Sequence, residues 1–184
     1  MAATESAMLA LGTSAPAFSL KDVRDGTVHS ADTIAGPKGL LVMFVCAHCP
    51  FVKHVEKELA RLGRDYEKSG IGIAAISSND ADNYPDDAPA GLAAQARSVG
   101  FVFPYLYDET QEVARAYDAT CTPDFFLFDG QRKLVYRGQL DSSRPGSGIP
   151  VTGEDLRAAM DAVAAGRPVA KDQRPSIGCN IKWR

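Results

Sequence analysis

The sequence predicts a single domain of the α/β class. Three observations carry this expectation: the continuous apolar run Leu40-Leu41-Val42-Met43-Phe44-Val45, an amphipathic stretch directly after it, and a second apolar run from Ile71 to Ile76. A strand buried on both faces, a helix and another buried strand form a β-α-β unit, with parallel strands and a right-handed crossover. The 184 residues suit one main domain with loops and tails, and they suffice to bury a real core. Hydrophobic residues at 45% and charged residues at 23% exclude collagen-like, coiled-coil and wholly disordered chains. With 20 Lys and Arg against 23 Asp and Glu, the formal charge is −3, so nothing favours nucleic acid or an anionic membrane as partner.

Residues 1–14 carry no clear pattern and read as an extension. Ala17-Phe18-Ser19-Leu20 and Thr27-Val28-His29 flank Asp25-Gly26, a pair suited to the positive φ angles of a tight turn, and predict a small hairpin. Gly36-Pro37-Lys38-Gly39 precedes the first apolar strand. After Cys46-Ala47-His48-Cys49-Pro50, residues Phe51, Val52, Val55, Leu59 and Leu62 recur at helical spacing, opposite Lys53, Glu56, Lys57 and Glu58. Pro50 suits the first turn of this helix and Gly70 marks its far end. Ser77 to Pro89, with Asp80, Asp82, Asp86 and Asp87, reads as a solvated surface loop that lacks the spacing of a calcium loop. A helix over Gly91 to Val99, a short apolar segment from Phe101 to Tyr107 and a helix from Glu109 to Tyr117 make an α/β insertion. Asp124 to Phe128 and Lys133 to Arg137, joined at Asp129-Gly130, predict an antiparallel hairpin. A last helix spans Thr152 to Ala165, and 167–184 forms a basic, irregular tail.

Four cysteines are too few for a disulfide-stapled scaffold. Met1-Ala2-Ala3-Thr4-Glu5 has no basic start, and the uncharged stretch after it is broken by Gly12 and Pro16, a poor secretory signal. The longest strongly apolar run falls far short of the roughly 20 residues that span a bilayer. The expected location is therefore cytoplasmic, where cysteines serve catalysis, redox sensing or metal binding more often than structural bridges.

Cys46-x-x-Cys49 places two sulfurs where they can meet, at a strand-to-helix junction. There the unpaired N–H groups and the positive end of the helix dipole stabilise a thiolate, which we expect on Cys46 as the more exposed attacking sulfur. Cys49, within the helix, is then the resolving thiol. A protonated His48 between them would lower the Cys46 pKa. The plain alternative for one such pair is half of a zinc site, but Cys121 and Cys179 stand alone and His29 and His54 have no partner pattern.

Strand, C-x-x-C helix, strand, then Thr122-Pro123 opening a hairpin and a final helix resemble the thioredoxin fold over roughly Ala15 to Ala165. The N-terminal hairpin and the insertion resemble its alkyl hydroperoxide reductase and thiol-specific antioxidant (redoxin) branch. Cys46 to Lys53, Ser78-Asn79-Asp80, Thr122 to Asp129 and the tail Pro175 to Trp183 are similar to a bacterial peroxiredoxin-like group described as probable thiol-disulfide isomerases. The resemblance implies a three-layer α/β/α domain over 15–166, with 167–184 docked on it. It makes Pro123 the cis-proline of a loop that, with Thr122, faces the cysteines and binds an incoming peptide or thiol. It departs in two respects: Val45 stands where thioredoxins usually carry Trp, and Val42 and Cys46 occupy the Pro and Thr positions of the peroxiredoxin peroxide-activating triad.

The expected activity is thiol-disulfide oxidoreduction, with Cys46 attacking protein or small-molecule disulfides, Cys49 resolving, and another dithiol or reductase supplying electrons. No cofactor and no metal is implied. The alternatives are a thiol peroxidase in which Cys46 meets the peroxide, or a non-catalytic binding module or metal carrier using Cys46, Cys49, Cys121 and His48. Cys121, beside the proline loop, is an accessory thiol or a buried inert one. Cys179 resolves a disulfide, pairs with another chain or simply packs.

Overall fold

The computed structural model describes residues 3–184, so residues 1 and 2 of the expected extension lie outside the described residues. In chain order the elements are β1 (Ala3–Glu5), β2 (Ser19–Asp22), β3 (Val28–Ser30), α1 (Ala31–Ile34), β4 (Gly39–Phe44), α2 (Pro50–Asp65) and β5 (Ile71–Ser77). A 3-10 turn at Pro85–Asp87 follows, then α3 (Pro89–Val99), β6 (Tyr105–Tyr107), α4 (Glu112–Ala116), β7 (Cys121–Thr122), β8 (Asp124–Asp129), β9 (Leu134–Gly138), α5 (Glu154–Ala164) and β10 (Ile177–Asn180). Seven strands form one sheet in the order β3-β2-β6-β5-β4-β8-β9. The β4–β5 and β5–β6 pairs are parallel and the other pairs are antiparallel.

Alternation along the central strands sends side chains to two cores, one on each face of the sheet. Leu41, Met43, Val45, Phe125 and Leu127 join the buried faces of α2, α3 and α5. Leu40, Val42, Phe44, Phe126 and Phe128 point the other way, against α1 and α4. The result is the expected three-layer α/β/α arrangement. Helix α2 shows why its residues fold as they do: Val52, Val55, Leu59 and Leu62 lie on one face and are 0–5% exposed. Each contributes about 1.5–3 kcal/mol by leaving water. No helix among the described residues is long and apolar enough to cross a membrane.

Several elements differ from expectation. Helix α2 ends at Asp65, before a short run of turns that reaches Gly70. The insertion's second helix is only Glu112–Ala116, because the buried Asp108 carboxylate accepts the Val113 and Ala114 N–H groups and sets its start. The largest difference concerns the tail. Instead of running irregularly, it supplies β10, the middle strand of a second, three-stranded sheet in the order β1-β10-β7. The extension is structured for the same reason: β1 pairs with β10, with Ala3 opposite Cys179 and Glu5 opposite Ile177.

Strand β10 is seated tightly on the loop that carries the cis Thr122–Pro123 bond. Cys179 pairs with Thr122 and Asn180 with Cys121. The Ser176 hydroxyl donates to the Pro123 carbonyl at 2.5 Å, and Ser6 and Ser176 exchange two further hydrogen bonds. Gly178 makes this approach possible, since a Cβ there would stand 1.9 Å from the Thr122 carbonyl oxygen and 2.6 Å from its carbon. Both are backbone atoms with little room to yield. The Gly178→Ala variant is therefore expected to lose about 1–3 kcal/mol of stability through overpacking, measured by denaturant unfolding.

Candidate functional site

The site forms where β4 runs into α2. The backbone leaves the sheet at Phe44, and Cys46 follows two residues later, fully buried, with its sulfur 3.5 Å from the Thr122 hydroxyl. Three residues further, Cys49 is the N-cap of α2, with φ −70° and ψ 124°, and Pro50 takes the first helical position. Cys49 is also fully buried. Its sulfur lies 3.3 Å from the Thr122 carbonyl oxygen and 2.7 Å from the sulfur of Cys179, which β10 delivers from the far end of the chain. All four cysteines are free thiols.

Between the two cysteines, the Asp87 carboxylate organises the backbone. One oxygen accepts the Ala47 N–H at 2.7 Å and the His48 N–H at 3.1 Å. The other accepts from His48 Nδ1 and, at 2.8 Å, from the Asn79 amide. Asp87 thereby holds the His48 ring by its Nδ1 edge. Nε2 is buried with no partner among the described residues, and the ring stacks on Tyr84 at 5.2 Å. The Asn79 side-chain oxygen accepts the Lys182 N–H at 2.8 Å, so one amide ties the cysteine loop to the tail. Gln95 of α3 donates to the Cys46 carbonyl at 3.1 Å and accepts from the Tyr105 hydroxyl at 2.9 Å.

These surroundings separate the pKa values of the three thiols. Its pKa falls to about 5, first through the hydrogen bond from the Cys46 thiol, with further donation from Cys179, Thr122 and the Val52 N–H outweighing burial. The Cys46 pKa rises, first because its thiol donates to Cys49, then through burial and the nearby Asp87 charge. Burial, then the Cys49 contact, pushes Cys179 up to about 12.

Several expectations are corrected by this geometry. Cys46 is no more exposed than Cys49, and it is Cys49 that sits on the helix N-terminus, because the helix begins only at Pro50. The thiolate-stabilising N–H therefore faces Cys49. His48 does not act on Cys46 as a bare positive charge, because Asp87 pairs with it and itself raises the Cys46 pKa. The acidic loop is not simply solvated surface: Asp80 and Asp87 are 4% and 0% exposed, while Asp82 remains open. Thr122 does face both cysteines, with its hydroxyl toward Cys46 and its carbonyl toward Cys49. Cys121 lies buried beside the Pro123 carbonyl, 3.7 Å away, and its thiol is pushed up mainly by burial. His54 instead contacts Ser143, and His29 lies near Asp22.

Asp87 and Gln95 escaped the sequence reading, one hidden among acidic loop residues and the other on a weakly patterned helix. Cys46, His48 and Asp87 bring three donor atoms within 4.8 Å of one another.

The layered sheet, the C-x-x-C turn at a helix N-terminus and the facing proline loop define a thioredoxin-like protein. The chain belongs to the AhpC/TSA family, whose model matches residues 11–137. A crystal structure of an uncharacterized conserved protein from Geobacillus kaustophilus is 56% identical, with a TM-score of 0.98 over 100% of this chain and 97% of that one. The thiol-disulfide oxidoreductase ResA of Geobacillus thermodenitrificans strain NG80-2 is 26% identical over 165 residues, 87% of this chain and 82% of the relative. The thioredoxin domain of a thiol-disulfide oxidoreductase from Bacteroides vulgatus shares the fold, with a TM-score of 0.60 at 21% identity over 71% of this chain and 89% of that one.

Two outcomes are expected. Replacing Asp87 with Ala strands the Ala47 and His48 N–H groups at a cost of about 1–3 kcal/mol each, read by denaturant unfolding. In the reduced protein, thiolate ultraviolet absorbance should rise with a midpoint near pH 5, the value toward which Cys49 is lowered, and Cys49→Ser should remove that step. A depressed pKa also means that the Cys49 contribution to stability declines as pH falls from the ordinary thiol range toward that midpoint.

Proposed function

We propose that this protein is a thiol-disulfide oxidoreductase working through the Cys46-x-x-Cys49 dithiol, with Cys49 as the attacking sulfur. The observation that carries the reading is the place of Cys49 at the N-cap of α2, its sulfur 3.3 Å from the Thr122 carbonyl oxygen of the proline loop, and its pKa is lowered there first by the Cys46 thiol. A thiolate with a second thiol in contact is the minimum equipment for exchange.

Cys49 thiolate attacks one sulfur of a substrate disulfide. A bond forms between Cys49 and that sulfur, and the other substrate sulfur leaves as a thiolate that takes up a proton. Once Cys49 is in a mixed disulfide its charge is gone, and with it the largest cause of the raised Cys46 pKa. Cys46 can then give up its proton and attack Cys49, closing the Cys46–Cys49 bond and releasing the second substrate thiol. The Cys46 proton passes to the departing substrate thiolate. The substrates are protein or small-molecule disulfides, an external dithiol restores the reduced pair, and the reducing cytoplasm suits the cycle.

The burial of both sulfurs favours a second reading, in which a small hydroperoxide meets the Cys49 thiolate and the sulfenic acid condenses with Cys46, releasing water. Val42 and Cys46 at the peroxide-activating positions argue against fast peroxide turnover.

Cys49→Ser should abolish reduction of a model disulfide without trapping substrate elsewhere. A mixed disulfide accumulating on Cys46 in that variant would return the attacking role to Cys46. Peroxide consumption far above that of free cysteine, lost with Cys49→Ser, would establish the peroxidase reading instead.

A further inference from the structure

The proposed cycle uses two of three sulfurs that meet at one point. Cys179 belongs to neither the β4–α2 junction nor the proline loop, yet its sulfur is 2.7 Å from that of Cys49. Its placement is built by the fold. Gly178 lets β10 press against Thr122, the Cys179–Thr122 pairing sets the register, and the Lys182 N–H on Asn79 anchors the strand beyond it. The Lys182 carbonyl accepts from the Asp80 N–H at 2.9 Å and from the Gln111 amide at 2.8 Å. A strand held this closely on both sides of one residue carries its sulfur to Cys49 by design of the backbone, not by the chance lie of a tail.

We infer that Cys179 is a second resolving thiol for Cys49, so that the protein closes a Cys49–Cys179 disulfide in competition with the Cys46–Cys49 one. The inference rests on the reading of Cys49 as the attacking sulfur. In the step, the Cys179 sulfur attacks Cys49 within the mixed disulfide, the Cys49–Cys179 bond forms, and the bond from Cys49 to the substrate sulfur breaks. The Cys179 proton ends on the departing substrate thiolate. In this oxidative half-reaction two protein thiols are oxidised and the substrate disulfide is the oxidant, reduced to two thiols. An external dithiol then reduces the Cys49–Cys179 bond, as it would the Cys46–Cys49 one.

The electrostatics agree with this route. Part of what holds the Cys179 proton is the contact with the Cys49 anion, which the mixed disulfide removes, and the Lys182 charge favours the thiolate that must form. Cys49 can thus pass to Cys46, at the end of β4, or to Cys179, on the second sheet. A disulfide on the Cys179 side would tie the tail covalently to α2 and leave Cys46 a free thiol.

The test uses Ellman's reagent, an aromatic disulfide, on the full chain. Reduced Cys46→Ser protein is expected to release a second equivalent of aromatic thiol after the first, and peptide mapping after alkylation should find Cys49 linked to Cys179. Cys46→Ser combined with Cys179→Ser should stop at one equivalent, with the aromatic thiol retained on Cys49. The wild type, given limiting reagent and quenched early, should show both Cys46–Cys49 and Cys49–Cys179 peptides, which keeps the readout if a variant fails to fold. Cys46→Ser protein that retains the aromatic thiol on Cys49, with Cys179 free to alkylation, overturns the inference and leaves the Cys46–Cys49 cycle standing. Cys49 left unmodified in every form overturns both.

Discussion

One negative charge governs the site. Three thiols and a hydroxyl crowd one buried space beside the Asp87 carboxylate, and a thiolate there is held only where donors surround it. The backbone decides which sulfur receives it. Because α2 begins at Pro50, Cys49 is its N-cap, where the Val52 N–H and the neighbouring thiols lower its pKa. The raised pKa values of Cys46 and Cys179 and the lowered one of Cys49 are therefore one fact seen from three atoms. Chemistry at Cys49 removes what holds its neighbours' protons, which orders the events without any moving part.

Around that charge, polar side chains take the place of water. Asp87 satisfies two N–H groups in the turn between the cysteines, Asn79 joins Asp87 to the tail, and Gln95 holds the Cys46 carbonyl. Each of these is contributed by an element from outside the C-x-x-C motif. A buried network of this kind is rigid when complete, and it explains how loops far apart in the chain meet at one point with little slack. The insertion between β5 and β7 is thus part of the site's frame, since both Asp87 and Gln95 come from it.

How much of this was legible in the sequence follows from which forces speak locally. Leu40 to Val45 and Ile71 to Ile76 announce themselves because a strand buried on both faces must be apolar throughout, and α2 because its apolar residues repeat every turn. The C-x-x-C and Thr122-Pro123 motifs are short and contiguous, so they too could be read. Asp87 could not: nothing in Asp80 to Asp87 distinguishes the one carboxylate that turns inward from its solvated neighbours. Which cysteine meets the helix N-terminus turns on a single residue: the sequence pattern places Cys49 within the helix, whereas the structure makes it the N-cap, with Pro50 the first helical residue. The contact between Cys179 and Cys49 depends on a strand pairing across most of the chain, which no local pattern records.

The second sheet brings the two ends of the chain together. Strand β1 is an edge whose partner is β10, and Ala3 stands directly across from Cys179. The first few residues and the last few thus share a ladder, one strand away from the sulfur that carries the charge. Anything that alters the amino end, such as a fusion partner, a processing cut or an affinity tag, acts on the strand that supports Cys179. In handling this protein, the choice of terminus for a tag becomes a perturbation of its redox centre.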